Sequence, residues 1–245
     1  MAVIDAQGVY YRELNQRIKE LLARGEREIT LNNINGQRYI GDGLTEQAKL
    51  IINGTPGNDL AAFGNGAELV INGNGQDGIA NTMNGGQIII HGSVGDTLGY
   101  SMRGGEVYVK GDVGYRVGIH MKGYQDKQPL IIIGGTAGDF FGEYMAGGRM
   151  ILLGLDRAEA QDIVGNYVGA GMHGGVIYIR GQVEDYQVGQ EVKISGLDED
   201  DRKELKGYLS GYCQEFDYDL EEVLNAEFCK LAPCSARPYG NLYAY

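Results

Sequence analysis

Two stretches, IIIHGSVGDTLGYSMRGGE (88–106) and LIIIGGTAGDFFGEYMAGGR (130–149), spell one phrase: an apolar triplet, a small polar turn, a Gly-Asp pair, a methionine, then glycines. On either side the phrase recurs, with Met83, Met102, Met121, Met145 and Met172 at one register and spacings of 19, 19, 24 and 27 residues. Such a fixed period marks a stacked array, because one unit cannot bury its own apolar face and needs neighbours above and below.

The triplets are Leu50–Ile52, Leu69–Ile71, Ile88–Ile90, Val107–Val109, Ile131–Ile133, Ile151–Leu153 and Ile177–Ile179. Short β-branched runs closed by glycine-containing turns are strands, not helices. The rest of each period suffices for two more short strands and two corners. The expected fold is therefore all-β: a single-stranded, right-handed parallel β-helix of about seven coils, its hand taken by analogy with parallel crossovers. At about 4.8 Å between stacked strands this makes a rod of roughly 30 Å. Glycines serve the tight corners, and the five methionines form an inward structural ladder. The longer periods, at YQDKQP (124–129) and GLDRAEAQDI (154–163), bulge from a corner, with RAEAQDI as a short helix.

The flanks differ. Leu14, Ile18, Leu21 and Leu22 form one apolar stripe of a helix from about Val9 to Arg24, stopped by Gly25. Residues 1–28 are thus a helical cap, 29–195 the β-helix, and 196–245 a C-terminal extension. That extension is expected to hold a helix within 196–216, a second through 217–228, and an aromatic docking tail. A stack of coils has open strand edges at both ends, and these flanks are its covers.

Composition narrows the function. With 21 Lys plus Arg against 33 Asp plus Glu, the formal net charge of −12 disfavours nucleic acid and anionic membrane surfaces as partners. No apolar run is long enough to span a bilayer. The opening MAVIDAQGVYYREL lacks a secretory pattern, and three late cysteines suit a reducing compartment, so a cytoplasmic location is expected.

Candidate chemistry is sparse. Gly73–Gly78 matches GxGxxG, but no helix follows to hold a pyrophosphate, and related turns recur in other coils. Asp59, Asp77, Asp96 and Asp139 fall at one register, with Tyr115 and Asn166 in equivalent places, and read as caps of corner backbone groups. His91, His120 and His173 have no metal-ligand spacing, and Cys213, Cys229 and Cys234 lie far in sequence from any histidine. No catalytic, cofactor-binding or metal residue is assigned.

The phrases VGDTLGYSMRGG, VGYRVGIHMKG, AGDFFGEYMAGG and VGNYVGAGMHGGVIYIRG resemble the GXGXG domain that ends the large subunit of glutamate synthase. The resemblance runs from about Gln37 to Gly181, and the RPYGNLY ending is similar to a stand-alone archaeal-type version. It implies a right-handed β-helix that holds a glutaminase part against a synthase part containing FMN and an iron–sulfur cluster, in an enzyme that channels ammonia to 2-oxoglutarate. The residues that do that chemistry belong to the other parts. The resemblance therefore implies no activity for this chain alone, no cofactor of its own, and the glutaminase and FMN-binding synthase subunits as partners.

The β-helix subunit of formylmethanofuran dehydrogenase, other amidotransferase-linked complexes such as N-methylglutamate synthase, and a freestanding β-helix enzyme remain alternatives. Assembly into a homo-oligomer stays open. Two docking surfaces are expected: a coil flank of low charge, and the tail from Phe228 to Tyr245, with Phe228, Tyr239, Tyr243 and Tyr245 as aromatic anchors and Arg237 as a partner for a carboxylate.

Overall fold

The computed structural model describes residues 1–158 and 161–234. Strands β1 (Ala2–Asp5), β2 (Glu28–Asn35), β3 (Lys49–Thr55), β4 (Asn65–Asn72), β5 (Asn84–Ile90), β6 (Gly104–Val109), β7 (Leu130–Ile133), β8 (Ala146–Leu152) and β9 (Gly174–Arg180) pair in parallel, each with the next. From β2 onward every connection is one coil of a β-solenoid.

Strand alternation divides each triplet between two cores. Ile88 and Ile90 enter the solenoid interior with Val107, Val109, Ile131 and Ile133, while Ile89, Tyr108 and Ile132 face the other side. Interior columns continue around the coil: Leu98 with Met102, Val117 with Met121, Phe141 with Met145, and Val168 with Met172, all at most 1% exposed. The methionine methyls reach across to the next strand. A Cβ at Gly105 would stand 2.8 Å from the Met83 methyl, and one at Gly175 would stand 2.5 Å from the Met145 methyl. The glycines after each methionine are therefore the room into which the flexible thioether packs.

The outer face of β5–β9 is covered by α2 (Glu199–Phe216), through Leu205, Leu209, Tyr212, Cys213 and Phe216. Asp198 starts this helix in a reciprocal capping box with Asp201, and Asp217 ends it in the left-handed conformation at φ 59°. Tyr212 donates its hydroxyl to the Val109 carbonyl at 3.1 Å, fastening the helix to the end of β6. At the other end of the ladder, α1 (Tyr11–Ala23) buries Leu14, Ile18 and Leu22 against the solenoid core.

Several expectations need correction. The first 28 residues hold a strand as well as a helix, because β1 pairs with β2 before α1 begins. The helix sought in 217–228 shrinks to α3 (Leu220–Leu224), since Phe228–Pro233 is strand β11. That strand inserts antiparallel between β9 and β10 (Val192–Gly196), so the first part of the supposed docking tail belongs to the sheet. Phe228 is buried there, at 7% exposure. Strand β8 is one residue out of the expected frame: Met150, Ile151 and Leu152 pair with Ile131, Ile132 and Ile133. Methionine substitutes for a β-branched residue at that inward position, which hid the frame.

The remainder of each coil is a second correction. Instead of two further strands it holds single bridges, Val94 to Val113, Val113 to Ala137 and Ala137 to Val164, followed by a tight return. In the return alternate residues are left-handed: Thr97, Gly99 and Ser101 at φ 57°, 70° and 52°, then Arg116, Gly118 and His120 at 55°, 71° and 57°. Their amides bond alternately to the coils on either side: Thr97 to the Tyr115 carbonyl, Gly99 to that of Ile79, and Ser101 to that of Ile119, each at 2.8 Å. The returns therefore stack as firmly as strands without being extended. Residue 158 lies outside any helix, and the centre of the RAEAQDI stretch, 159–160, lies outside the described residues.

Candidate interaction surface

The left-handed returns decide what the solenoid shows on one flank. Their inward neighbours are apolar, and several left-handed positions carry large exposed side chains, among them Phe63 (59%), Tyr144 (48%) and Tyr167 (56%). A non-glycine residue held at positive φ costs about 1–2 kcal/mol, and bulky aromatics tolerate it worst. Phe140, Tyr144 and Tyr167 nonetheless occupy it at φ 63°, 53° and 62°.

These rings are organised. His120 lies flat on Tyr144, with centroids 5.2 Å apart and planes at 9°, and Tyr100 meets His120 edge-on at 5.9 Å. One column over, Phe140 stacks on Tyr167 at 4.9 Å, and the Arg116 guanidinium sits 4.5 Å from the Phe140 ring centre. Arg116 also donates from Nε to Glu143 at 3.1 Å, which neutralises the charge between the columns. Tyr144 closes over Gly171, where no Cβ would fit. Stacked aromatics with a paired arginine are the residue types that concentrate binding energy at protein interfaces.

Several titratable groups elsewhere are structural. Asp77 accepts the Asp96 amide at 2.9 Å, Asp96 accepts that of Tyr115 at 2.9 Å, and Asp139 accepts that of Asn166 at 2.7 Å. A parallel file runs through Asn74, Ser93 and Asp112, whose side chains accept the amides of Ser93, Asp112 and Thr136. Burial pushes the Cys229 thiol up to about 11 and raises that of Cys213, where Asp219 adds to the effect. Both thiols are therefore held protonated and unreactive near neutrality. His91 packs edge-on to Phe216 at 5.2 Å, and His173 contacts the Gly171 carbonyl at 3.2 Å. Among the described residues no group of three or more His, Cys, Asp or Glu side chains is arranged to hold a metal ion.

Met83, Met102, Met121, Met145 and Met172 are all at most 1% exposed. Arg237, Tyr239, Tyr243 and Tyr245 lie outside the described residues. Of the flank's rings the sequence singled out His120, weighed as a metal ligand, but not Phe140, Tyr144 or Tyr167, although His120 and Tyr144 each immediately precede a ladder methionine. That shared register is the signal that leads to them.

The GXGXG motif family matches residues 14–234. An uncharacterized protein of Methanocaldococcus jannaschii is 45% identical over 249 aligned positions, covering 98% of this chain and 95% of that protein. No helix among the described residues is long and apolar enough to cross a membrane.

Proposed function

Because the chain belongs to the GXGXG family, we propose that it is a non-catalytic β-helix subunit of a split glutamate synthase. In this reading it holds a glutaminase subunit against an FMN- and iron–sulfur-containing synthase subunit, so that ammonia released by one reaches the other. FMN and the cluster would sit in the partner chains. The observation that carries the reading beyond family membership is the aromatic flank. The stacked returns hold Phe140, Tyr144 and Tyr167 at unfavourable φ, and Tyr144 and Tyr167 are exposed there and add nothing to the solenoid core. Strain retained on a surface is expected where function uses that surface.

The flank and the tail residues Arg237, Tyr239 and Tyr243 are the proposed docking elements, working in the cytoplasm. The test is reconstitution with separately purified glutaminase and synthase chains from the same source. The reading predicts a stable ternary assembly in which glutamine hydrolysis is coupled to glutamate formation only when this chain is present. Full coupling without it, or failure of this chain to bind either partner, would refute the scaffold role.

A further inference from the structure

A second feature lies at the opposite end from β10 and has no part in the flank. Two clefts meet at Tyr11. The larger, about 990 Å³, runs between residues 7–11 and 33–38, and the smaller, about 290 Å³, includes Arg12, Lys19, Tyr39 and Asp42 in its lining. The wall of the larger cleft is fixed in place. The buried Gln37 side chain donates to the carbonyls of Ala6 at 3.0 Å and Val9 at 3.2 Å, and accepts the Asn35 amide at 2.7 Å. Asn15 donates to the Arg38 carbonyl at 2.9 Å, tying α1 to the residues that follow β2.

Three tyrosine rings gather at the junction: Tyr10 with Tyr11 at 4.5 Å, and Tyr11 with Tyr39 at 5.6 Å between centroids. Arg12 donates from Nε to the Tyr11 hydroxyl at 3.2 Å, leaving its two terminal nitrogens to other partners. Arg38 lines the larger cleft and Arg12 the smaller, on either side of the shared Tyr11. Among the described residues, no carboxylate lies within ion-pairing distance of Arg12, Lys19 or Arg38. The acid in the smaller cleft, Asp42, is raised by burial, against the Ala62 amide and the Lys19 charge, to about 7, so it carries only part of its charge near neutrality.

Two arginines outside any ion pair, with Lys19 beside a partly charged Asp42, in the clefts of a chain with a net charge of −12, make a local positive potential that an anion would satisfy. Guanidinium forks bind carboxylate and phosphate through two oxygens at once. We propose that the joined clefts bind an oxyanion, a carboxylate or a phosphate, with Arg12, Lys19 and Arg38 as its charge partners and Tyr10, Tyr11 and Tyr39 as the flanking wall. The oxyanion can come from a small ligand or from an acidic segment of a partner, since both present the same group. The proposal is independent of the assembly role.

The experiment uses the full chain at constant ionic strength and titrates it calorimetrically with inorganic phosphate, glutarate and a hexaglutamate peptide. At least one probe should bind saturably, and Arg12→Ala/Arg38→Ala should weaken it by about tenfold or more at an unchanged melting temperature. Lys206→Ala, a cation paired with Glu221 on the C-terminal extension, should bind as the native chain does. Binding of phosphate alone assigns a phosphate site. Binding of glutarate assigns a carboxylate, and tighter binding of hexaglutamate assigns an acidic segment as its source. If the double variant proves unstable, the conservative Arg38→Gln replaces it. The proposal is overturned if no probe saturates the native chain below about 10 mM, or if the arginine variants bind as tightly as native.

Discussion

The Asp77 carboxylate occupies the space that a Cβ on Gly95 would need, and it accepts the amide proton of Asp96 at 2.9 Å. One coil's acid therefore requires the next coil's glycine. The pair recurs as Asp96 with Gly114 and Asp139 with Gly165, which gives the repeated Gly-Asp step a physical cause.

Gly95→Ala should destabilise the chain by about 1–3 kcal/mol, the usual cost of forcing an atom into a filled site. Asp77→Ala should cost about 0.5–1.5 kcal/mol for the lost hydrogen bond. The double variant should cost clearly less than the sum, since removing the carboxylate frees the space. Denaturant melts of all four chains measure the coupling; strict additivity would mean the two residues do not contend for one volume.

Met121→Ala should cost about 2–5 kcal/mol, as for other buried methionines. That corresponds to a fall in melting temperature of about 2–4 °C per kcal/mol for a chain of this size. Met121→Asp should be worse, because it buries an unpaired charge. A melt like wild type for the aspartate variant would place this side chain outside the core.

Asp42 and Asp201 should respond oppositely to pH. Asp42 is raised by burial to about 7 from 3.8, so the folded chain binds its proton more tightly and stability falls as pH rises between those values. Asp42→Asn, which can still accept the Ala62 amide, should therefore raise the melting temperature at pH 8 more than at pH 4. Burial alone would raise Asp201 too, but Lys230 at 2.6 Å, the Asp198 amide and the Tyr178 hydroxyl at 2.9 Å outweigh it and hold it below its ordinary value. Its contribution is present above pH 3.8 and lost as pH falls through the lower folded value. Melting curves across this range for Asp201→Asn should converge with native at the acid end; a constant gap would contradict the sign.

Tyr144→Gly should separate stability from assembly. Glycine relieves the positive φ at this position, a gain of about 1–2 kcal/mol. That gain offsets the lost stacking on His120 and the greater freedom of glycine in the unfolded chain. The melting temperature should stay near native while binding to the glutaminase or synthase chain weakens. Native binding by both Tyr144→Gly and Tyr167→Ala would remove the flank from the interface.

The stacked architecture was legible in the chain's own residues, because a period recurring through Met83, Met102 and Met121 leaves each coil's apolar face to be buried only by its neighbours. So was the use of Asp77, Asp96 and Asp139 for backbone groups, although Asp59 at the same register accepts the Asn81 side-chain amide instead, and the family was carried in the ordered phrases. Three-dimensional packing decided the rest, wherever long-range pairing overrides local pattern. Phe228–Pro233 reads as an apolar tail, yet its edge hydrogen bonds are best met between β9 and β10, a choice invisible without both partners. The frame of Met150 was set by Ile131 beside it. The aromatic flank and the tyrosine–arginine clefts have the same origin. Arg116 lies 24 residues before Phe140, and Phe140 lies 27 before Tyr167. These are the spacings of Met121, Met145 and Met172, so the repeat aligns the three positions, but only the stacking of left-handed returns, coil upon coil, brings their side chains into contact.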